Sequence, residues 1–425
     1  MGKIDLVNSR GPVLGINGLG RIGKLTLWHH IGRKYFKEIV INQGRGIGAS
    51  LENVAQMLEK DSTYGLLHTF LYGINAKRLI RIVDEKNGTM LIDGIPVTFL
   101  SKARNPREIP WRDYGTDIVV ECSGTFRDPT VSPDDERGSI RGHLMGGAKA
   151  VVNSSAFSIK NKALSIPDDS AVLIYGINHL AFDPRKHVVI SAASCTTTAL
   201  AHMIKPLLEN RETNEILTAA VSTVHAATNT QSVLDSVPKS GEKDLRKNRS
   251  VLNNIILTST NAAAALSQVI DEVKNIGFMA DSIRIPTQTQ SLIILNATFQ
   301  SRMDSDGTPS AINSGIINDI YRKAAEDDPE HLLYFSSEQN VSSDVTGINS
   351  AVVIEGQFNH TRTAFLSVDL SQVPDIPGSL LESFPAKALR VPVVHAKIFG
   401  WYDNEYGSYT NRLGDLAVHI HKMLI

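Results

Sequence analysis

The sequence predicts an α/β protein in which a domain with a mostly parallel sheet precedes an α+β domain with a larger, mainly antiparallel sheet. Its 425 residues, 42% of them hydrophobic, suffice for two or three domains with their own cores. In the first 190 residues, short apolar runs alternate with helical patterns, which is typical of a parallel sheet covered by helices. From Ala219 onward the strand patterns are longer, which favours an antiparallel sheet.

The strands predicted in the first half are short and rich in β-branched residues. They are Val13–Asn17, Glu38–Asn42, Ile80–Val83, Asp117–Val120, Val151–Asn153 and Val188–Ser191. The charged segment Asp128–His143 contains prolines and glycines, and it is predicted to be a loop followed by a capped helix.

The strands predicted in the second half are longer and are separated by helical patterns. They are Ala219–Thr223, Ser291–Phe299, Ala351–Gln357 and Thr363–Asp369. Helices are predicted at Asn254–Asn275 and Ile312–Glu326, and apolar residues at near-helical spacing predict a last helix within Tyr409–Leu424.

A glycine-rich turn follows the first strand. Val13–Asn17 runs directly into Gly18-Leu19-Gly20-Arg21-Ile22-Gly23, after which a helical pattern begins. In this context the first glycine makes the turn, the second admits a pyrophosphate, and the third lets the helix pack closely on the strand. The helix N-terminus adds N–H groups and a dipole that favour phosphate. The first domain is therefore predicted to be a Rossmann-like dinucleotide-binding domain.

A cysteine flanked by hydroxyl residues is the candidate nucleophile. Cys195 lies in Ser191-Ala192-Ala193-Ser194-Cys195-Thr196-Thr197-Thr198, and His225 follows 30 positions later. A thiol attacks only as a thiolate, and imidazole is the commonest side chain that generates one. Taken alone, this pair leaves a buried, inert thiol as the commoner outcome. The chain has only two cysteines, Cys122 and Cys195, which fits a reducing compartment.

Three segments carry a family resemblance, namely Gly15–Gly23, Ser194–Thr197 and Trp401–Glu405. They closely resemble signatures of the phosphorylating glyceraldehyde-3-phosphate dehydrogenase family. Weaker likenesses lie between them in the family's order, at Lys60–Gly65, Glu121–Gly124, Gly146–Lys149, Thr258–Thr260 and Val341–Asp344. The resemblance covers nearly the whole chain.

The resemblance implies a longer, divergent member with two domains. Residues 1–194, completed by a C-terminal helix at 403–425, would bind the dinucleotide, and residues 195–402 would form the catalytic domain. Polar or turn-rich segments are predicted to be insertions, at Asp128–Gly142, at Ser240–Lys243 and in parts of Asp304–Ile348 and Pro374–Val391.

The resemblance also implies a covalent mechanism. Cys195 would attack the aldehyde, hydride would leave for the nicotinamide, and inorganic phosphate would cleave the resulting thioester to an acyl phosphate. His225 would serve twice, as an imidazolium that stabilises the thiolate and as the base that takes the hemiacetal proton. Cys122 is expected to be packing rather than a redox partner.

Anion sites are implied by matching residues. Thr228 and Arg284 match the site for the substrate phosphate, where the arginine fork contacts two oxygens. The site for inorganic phosphate is matched by Ser194, Thr196, Thr260 and Asn261. Asn261 stands where the family usually has glycine, so a side chain crowds that site.

The cofactor site is implied in the same way. Its matches are Gly18, Leu19, Gly20, Arg21, Ile22, Gly23, Gln43, Ser123, Gly124, Ser154 and Asn404. Asn404 would hydrogen-bond the nicotinamide amide. The family's tyrosine follows Gly407 directly, whereas here Ser408 intervenes before Tyr409, so no nicotinamide role is assigned to Tyr409.

The choice between NAD and NADP depends on Gln43. Strictly NAD-dependent members place aspartate there, which binds the ribose hydroxyls and repels a 2′-phosphate. Gln43 carries no charge, and Arg45 either pairs with a phosphate or points into solvent. NAD is therefore the first choice, with NADP use more expected than in an ordinary member.

Composition and resemblance set the remaining expectations. The net charge of −1 gives no reason to expect a nucleic-acid or membrane partner, and no metal site is expected. The sequence has no secretory signal pattern and no apolar run long enough to span a bilayer, so a cytoplasmic protein is expected. The segment Thr228–Arg249 resembles the family's interface loop, which implies a homotetramer.

Two other functions stay open. A relative that oxidises erythrose 4-phosphate by hydrolysis is kept open by Asn261 and Ser408. A non-catalytic relative that binds nucleic acid at the dinucleotide cleft is the alternative from another class. The retention of Cys195, His225 and Arg284 together argues against it.

Overall fold

The computed structural model describes residues 11–101, 103–303, 305, 306, 308, 312–383 and 388–425. The first ten residues of the predicted N-terminal domain and parts of the predicted insertions at 304–348 and 374–391 lie outside the described residues. The chain forms two compact units. One contains the described residues up to Cys195 together with Glu405–Ile425, and the other contains the described residues between Thr196 and Asn404.

The first unit consists of a sheet, a small hairpin and helices. Its strands are β1 (Val13–Asn17), β2 (Glu38–Asn42), β3 (Lys60–Asp61), β4 (Gly65–Leu66), β5 (Ile80–Asp84), β6 (Thr89–Ile92), β7 (Ile95–Leu100), β8 (Ile118–Glu121), β9 (Ala150–Asn153), β10 (Ser170–Val172) and β11 (Val189–Ser191). Its helices are α1 (Arg21–Arg33), α2 (Leu51–Glu59), α3 (Leu67–Tyr72), α4 (Gly142–Met145) and, at the end of the chain, α9 (Asn411–Leu424).

Among the described residues, nine strands form the sheet of this unit in the order β10-β11-β9-β8-β1-β2-β7-β6-β5. All neighbours from β10 to β7 are parallel, whereas β5, β6 and β7 pair antiparallel. Leu14 and Ile16 of β1 share one buried core with Trp28 of α1 and Leu413 of α9. In a parallel sheet the carboxyl ends of the strands form one edge, where ligands bind.

One expectation for this unit was wrong in detail, and several of its short strands were not predicted. Asp128–His143 contains turns rather than a capped helix, and only the short α4 begins at its end, without a side-chain cap. Pro129, Pro133 and Gly138, whose φ is 84°, interrupt any longer helix. Strands β3, β4, β6, β7 and β10 were not predicted, because their short runs lack a distinct alternation.

The second unit is built on a sheet of long strands. Its strands are β12 (Ile216–Ala226), β13 (Ile256–Thr258), β14 (Gly277–Ile285), β15 (Ser291–Gln300), β16 (Leu333–Ser336), β17 (Val352–Glu355), β18 (His360–Asp369) and β19 (Ala388–Tyr402). Helix α5 (Cys195–Glu209) leads into this unit, whose further helices are α6 (Ala262–Leu266), α7 (Ser314–Glu326) and α8 (Gly378–Ser383).

In this sheet the order is β13-β14-β12-β15-β19-β17-β16, and β18 pairs with β19. Most pairs are antiparallel, with β12–β14 and β16–β17 parallel. A mostly parallel first sheet and a mainly antiparallel second sheet confirm the predicted fold class.

The predicted helix Asn254–Asn275 was wrong. The segment contains strand β13, the five-residue helix α6 and a 3₁₀ turn at Asp271–Asn275. The hydroxyl residues Thr258-Ser259-Thr260 disfavour a helix interior, since their side chains compete for backbone hydrogen bonds. The last predicted helix begins with a π-helical turn at Tyr406–Thr410, and α9 follows it.

Candidate active site and cofactor cleft

The three glycines after β1 have different surroundings. Gly18 has a φ of 95°, and a Cβ there would lie 2.9 Å from the backbone nitrogen of Ser123. No atom lies within 4 Å of a Cβ built at Gly20, whereas one built at Gly23 would lie 1.9 Å from the carbonyl oxygen of Gly18. Gly18 therefore makes the turn, Gly20 leaves space for a phosphate, and Gly23 lets α1 pack against the turn.

The Arg21 guanidinium is held by carboxylates in the same unit. It contacts Asp61, and its Nε donates to Oε2 of Glu405 over 3.0 Å. Burial alone would raise the pKa of Asp61, but hydrogen bonds from Arg21 and Lys24 outweigh it and hold that pKa well below its usual range. A contribution of Arg21 to cofactor binding would therefore come from its backbone N–H.

A cavity of about 710 Å³ adjoins the glycine turn. Its lining includes the predicted residues Gly18, Leu19, Gly20, Gln43 and Ser123. It also includes Arg45, Arg104, Cys122 and Phe126, none of which is among the residues matched to the cofactor site. Open space at Gly20, a free helix N-terminus and a cavity of this size fit a dinucleotide.

Gln43 is oriented by the glycine turn. Its Oε1 accepts a hydrogen bond from the backbone N–H of Leu19 over 2.7 Å. Because a backbone N–H can only donate, Oε1 must be the atom that faces it, and the donor group Nε2 is the remaining polar atom of the amide. A donor at this position suits a phosphate oxygen as well as a ribose hydroxyl.

A row of buried polar residues crosses the carboxyl ends of neighbouring strands, and we call it the polar row. In the order β2, β1, β8, β9 and β11 its members are Asn42, Asn17, Glu121, Asn153 and Ser191, each in register with the next. Asn42 Nδ2 donates to Asn17 Oδ1 over 2.8 Å, and Asn17 Nδ2 donates to Glu121 Oε2 over 2.6 Å. The glycine turn follows directly on Asn17, and the N–H of Gly18 donates to the carbonyl of Asn42 over 2.8 Å.

Glu121 has several donors around its carboxylate. The backbone N–H of Ser123 donates to Oε1 over 2.6 Å, and Nε2 of His143 lies 2.8 Å from Oε2. Trp111 Nε1 donates to Nδ1 of His143 over 3.0 Å, so Nε2 of His143 carries the proton that is donated to Glu121. These bonds hold the backbone at Ser123. Gly124 follows with a φ of 69°, and the backbone N–H of Ser154 donates to the carbonyl of Glu121 over 3.0 Å.

Cys195 is the first residue of α5, and Ser194 and Thr196 flank it. The thiol-bearing residue is partly exposed. A helix N-terminus favours a thiolate through its dipole and its N–H groups. In the second unit, the hydroxyl of Thr196 is hydrogen-bonded to that of Tyr402 over 2.9 Å. The residue predicted to be the nucleophile is thus the first residue of a helix.

The second cysteine, Cys122, has surroundings that keep its thiol protonated. Burial raises the pKa of its thiol to about 12, the charge of Glu121 adds to this, and hydrogen bonds from Ser154 and Thr26 oppose it. The Cys122 thiol is therefore protonated at neutral pH and is a poor nucleophile.

His225 and Arg284 come together in the second unit. They are register partners on the parallel strands β12 and β14, and the Arg284 guanidinium contacts Nδ1 of His225. Nδ1 also lies 2.7 Å from the carbonyl oxygen of Ala226. Burial, and next the Arg284 charge, lower the pKa of His225 to about 3. These surroundings favour a neutral imidazole, which suits a base and does not suit the imidazolium role expected from the sequence.

Three of the predicted phosphate residues of this unit, Thr228, Thr260 and Asn261, lie on loops. Thr228 Oγ1 donates to Gln231 Oε1 over 3.1 Å and lies 2.9 Å from the hydroxyl of Thr230. Thr260 Oγ1 accepts from the backbone N–H of Ala262 over 3.3 Å. Asn261 is exposed and its side chain makes no cap hydrogen bond to α6.

Asn404 is oriented by a serine that sequence reasoning missed. Ser291 Oγ accepts from the backbone N–H of Ala226 and donates to Oδ1 of Asn404, each over 3.1 Å. The acceptor of the Asn404 amide is thereby engaged, which leaves Nδ2 to donate elsewhere. Thr289 donates to the neighbouring Asp403 over 3.1 Å.

The part of the chain that the structure describes contains no group of three or more His, Cys, Asp or Glu side chains placed to hold a metal ion. None of its helices combines the length and apolar character needed to cross a membrane.

Comparison with known proteins agrees with this arrangement. Residues 13–129 match the family model described as glyceraldehyde 3-phosphate dehydrogenase, NAD binding domain, and residues 194–373 match the model of the C-terminal domain. A Streptomyces coelicolor protein named glyceraldehyde-3-phosphate dehydrogenase is 33% identical over 97% of this chain and 99% of its own.

Two relatives from other organisms have similar sequence identities to this chain. A Gracilaria gracilis protein named glyceraldehyde-3-phosphate dehydrogenase, cytosolic, is 31% identical over 97% of this chain and 99% of its own. Glyceraldehyde-3-phosphate dehydrogenase 1 of Bacillus cereus is 29% identical over 96% of this chain and 98% of its own. The chain belongs to the glyceraldehyde-3-phosphate dehydrogenase family of NAD-binding oxidoreductases.

Proposed function

We propose that the protein is a phosphorylating glyceraldehyde-3-phosphate dehydrogenase, which converts the aldehyde and inorganic phosphate to an acyl phosphate. The observation that carries this proposal is the pairing of His225 with Arg284 on adjacent strands. It puts a neutral base next to a cation suited to a phosphorylated substrate. The thiol at the start of α5 supplies the nucleophile.

The proposed chemistry begins with Cys195. The thiolate sulfur forms a bond to the aldehyde carbon as the carbonyl π bond breaks, and the oxygen takes the proton that the thiol released on ionising, which gives a thiohemiacetal. His225 takes that hydroxyl proton as the carbon is oxidised. When bound in the cleft, the nicotinamide dinucleotide supplies the hydride acceptor. Cys195 then carries the acyl group as a thioester, and attack by a phosphate oxygen breaks the C–S bond and restores the thiolate.

The binding roles in this proposal are divided among several residues. Thr228 and Arg284 would bind the substrate phosphate, and the inorganic phosphate would be bound by Ser194, Thr196, Thr260 and the backbone of Asn261. Asn404 Nδ2, left as a donor by Ser291, would bind the nicotinamide amide. The glycine turn, Gln43, Ser123, Gly124 and Ser154 would bind the rest of the dinucleotide, with NAD as the first choice and NADP as the second.

A second candidate is the oxidation of erythrose 4-phosphate by hydrolysis. The exposed Asn261 side chain favours it, because a side chain replaces the glycine that the family usually has at the inorganic phosphate site. In this version water, rather than phosphate, cleaves the thioester.

We also propose a homotetramer in the cytoplasm. Large apolar side chains are exposed between residues 233 and 257, including Val233, Leu234, Val237 and Ile255. Exposed apolar residues in such a cluster are typical of an interface between copies. The word cytosolic in the name of the Gracilaria gracilis relative supports the compartment. Light scattering on the purified protein measures the number of copies.

One assay separates the functions. The absorbance of the reduced cofactor is followed with glyceraldehyde 3-phosphate or erythrose 4-phosphate, each with and without inorganic phosphate. Phosphate-dependent oxidation of glyceraldehyde 3-phosphate supports the main proposal. Phosphate-independent oxidation of erythrose 4-phosphate favours the second candidate. No reduction with either aldehyde, combined with tight RNA binding that NAD displaces, would favour the non-catalytic alternative.

A further inference from the structure

The turn that precedes Cys195 has an unusual backbone. Ala193 has a φ of 55°, in the left-handed region that side chains other than glycine seldom adopt. Its N–H donates to Ser191 Oγ over 3.1 Å, and Ser191 Oγ in turn donates to the carbonyl of Ser155 over 2.9 Å. Ala193 is completely buried. A conformation of this kind persists only where the surroundings hold it.

Tyr409 holds the other side of this turn. Its hydroxyl donates to the carbonyl oxygen of Ala193 over 3.2 Å, two residues before the thiol. Burial first, and then the charge of Cys195, keep the pKa of Tyr409 well above its usual value. The phenol is therefore protonated, and remains a donor, at every pH at which the enzyme would work.

The π-helical turn at Tyr406–Thr410 accommodates one extra residue. The Thr410 N–H donates to the carbonyl of Glu405 over 2.9 Å, five residues back, where an α-helix would bond four residues back. Ser408, which lengthens this segment relative to the family pattern, is completely buried inside the turn. The extra residue is thus absorbed by widening one helical turn, and Tyr409 points at Ala193 from that widened turn.

We propose that Tyr409 is a positioning residue for the nucleophile, because its hydroxyl holds the left-handed Ala193 and thereby the backbone from which Cys195 projects. This inference rests on the proposed role of Cys195. Without the hydroxyl, Ala193 relaxes toward the commoner backbone regions, and the thiol leaves the orientation that the helix N-terminus stabilises.

The test is Tyr409→Phe, which removes only the hydroxyl. The alkylation rate of Cys195 by iodoacetamide is measured against pH, with peptide mapping to separate Cys195 from Cys122, and kcat and KM are measured alongside. We expect alkylation and kcat to fall by about tenfold or more, with little change in the aldehyde KM. The midpoint of the alkylation profile should move to higher pH. Tyr35→Phe is the matched control. Tyr35 also lies in the first unit, but its hydroxyl is hydrogen-bonded to His421 and not to the turn before Cys195.

Ser191→Ala provides a second way to release the same turn, since it removes the acceptor of the Ala193 N–H. It should change the same quantities in the same direction, and it keeps the proposal testable if Tyr409→Phe does not fold. A wild-type alkylation profile and kcat in folded Tyr409→Phe would overturn the inference, even with a lowered melting temperature. Wild-type protein that stays active after complete alkylation of Cys195 would instead overturn the proposed mechanism.

Discussion

The Arg284 guanidinium lies against Nδ1 of His225, the same nitrogen that lies 2.7 Å from the Ala226 carbonyl oxygen. Nδ1 cannot accept a hydrogen bond from arginine and donate one to a carbonyl at the same time. Arg284 Nη1 also lies 3.2 Å from that carbonyl oxygen. We therefore expect that a substrate phosphate which draws Arg284 away lets Nδ1–H donate to Ala226 and leaves the Nε2 lone pair as the base.

Replacing Arg284 with Leu should mainly harm the use of the phosphorylated aldehyde. Loss of a bidentate, charge-assisted contact should cost roughly 10²-fold in kcat/KM, with a much smaller effect on unphosphorylated glyceraldehyde. Arg302→Leu is the control, because Arg302 lies in the same unit and pairs with Glu215 at the surface. Equal losses with both aldehydes would show that Arg284 acts on folding or on the chemical step.

The same variant should change the titration of His225. Its pKa of about 3 reflects burial first and the Arg284 charge second. Removing the arginine removes the positive charge that opposes protonation of His225, so the pKa should rise. The imidazole remains buried, so the pKa should stay below the usual value of 6.5. NMR titration of the imidazole measures this. An unchanged value in Arg284→Leu would mean that the guanidinium does not lie against Nδ1 in solution.

Replacing Cys195 with Ser should abolish aldehyde oxidation while the folded protein still binds cofactor, because a serine hydroxyl is far less ionised at neutral pH. His225→Asn should leave slow activity, since the hemiacetal proton loses its base. Cys122→Ser is the matched control and should retain activity, because the Cys122 thiol is protonated. The covalent mechanism would be wrong if Cys195→Ser turned over at a near-normal rate.

Cofactor choice should respond to the residue at 43. Gln43 presents a donor and Arg45 lines the same cavity, so the wild type should discriminate only weakly between NAD and NADP. Gln43→Asp should restore NAD preference by about tenfold or more, because a carboxylate repels the 2′-phosphate. Arg45→Ala should weaken NADP selectively, and more so at low salt.

Calorimetry with 2′,5′-ADP and 5′-AMP measures this choice without turnover, and kcat/KM for both cofactors measures it during catalysis. Arg185→Ala, at another exposed arginine of the first unit, should change neither. A wild type that already prefers NAD by orders of magnitude, unaltered by Gln43→Asp, would mean that another group selects the ribose.

Acid should destabilise the protein through two buried histidines of α1. Burial first, and then the charge of Arg33, hold the pKa values of His29 and His30 well below 6.5. Below that pH the unfolded chain binds protons that the folded chain does not, so the free energy of unfolding should fall as pH falls. The slope that each histidine contributes grows as pH falls and approaches about 1.4 kcal/mol per pH unit well below pH 6.5.

Urea denaturation between about pH 7 and pH 5 measures this slope. His30→Leu should remove one histidine's share of it, whereas His395→Gln, at an exposed position in the second unit, should leave the slope unchanged. A stability that does not vary over this range would contradict the burial of these histidines as neutral side chains.

Local signals explain what could be predicted from the sequence. The turn at Gly18–Gly23 is predictable because strand, glycines and helix are contiguous, and the alternation of elements sufficed for the fold class. The prediction of a helix at Asn254–Asn275 was wrong because it relied on the spacing of apolar residues and gave too little weight to the hydroxyl residues at the end of β13. The functional roles of the site residues stay predictions.

Other features depend on distant parts of the chain. The contact between His225 and Arg284 follows from the parallel register of β12 and β14, which residue spacing does not reveal. The Glu121–His143–Trp111 bonds join three separate segments. The place of Tyr409 could not be inferred, because the same extra residue could form an exposed bulge or a widened helical turn.

The polar row has a consequence for distances. It runs from Asn42, next to Gln43, to Ser191, which holds the turn before Cys195, and these ends are four strand spacings apart. At roughly 4.8 Å per spacing, the sheet separates them by about 19 Å. The spacing of the strands thus fixes the distance between Gln43, the residue predicted to contact the ribose, and the turn before Cys195. The number of strands, rather than the length of any loop, sets how long a cofactor must be to reach from one to the other.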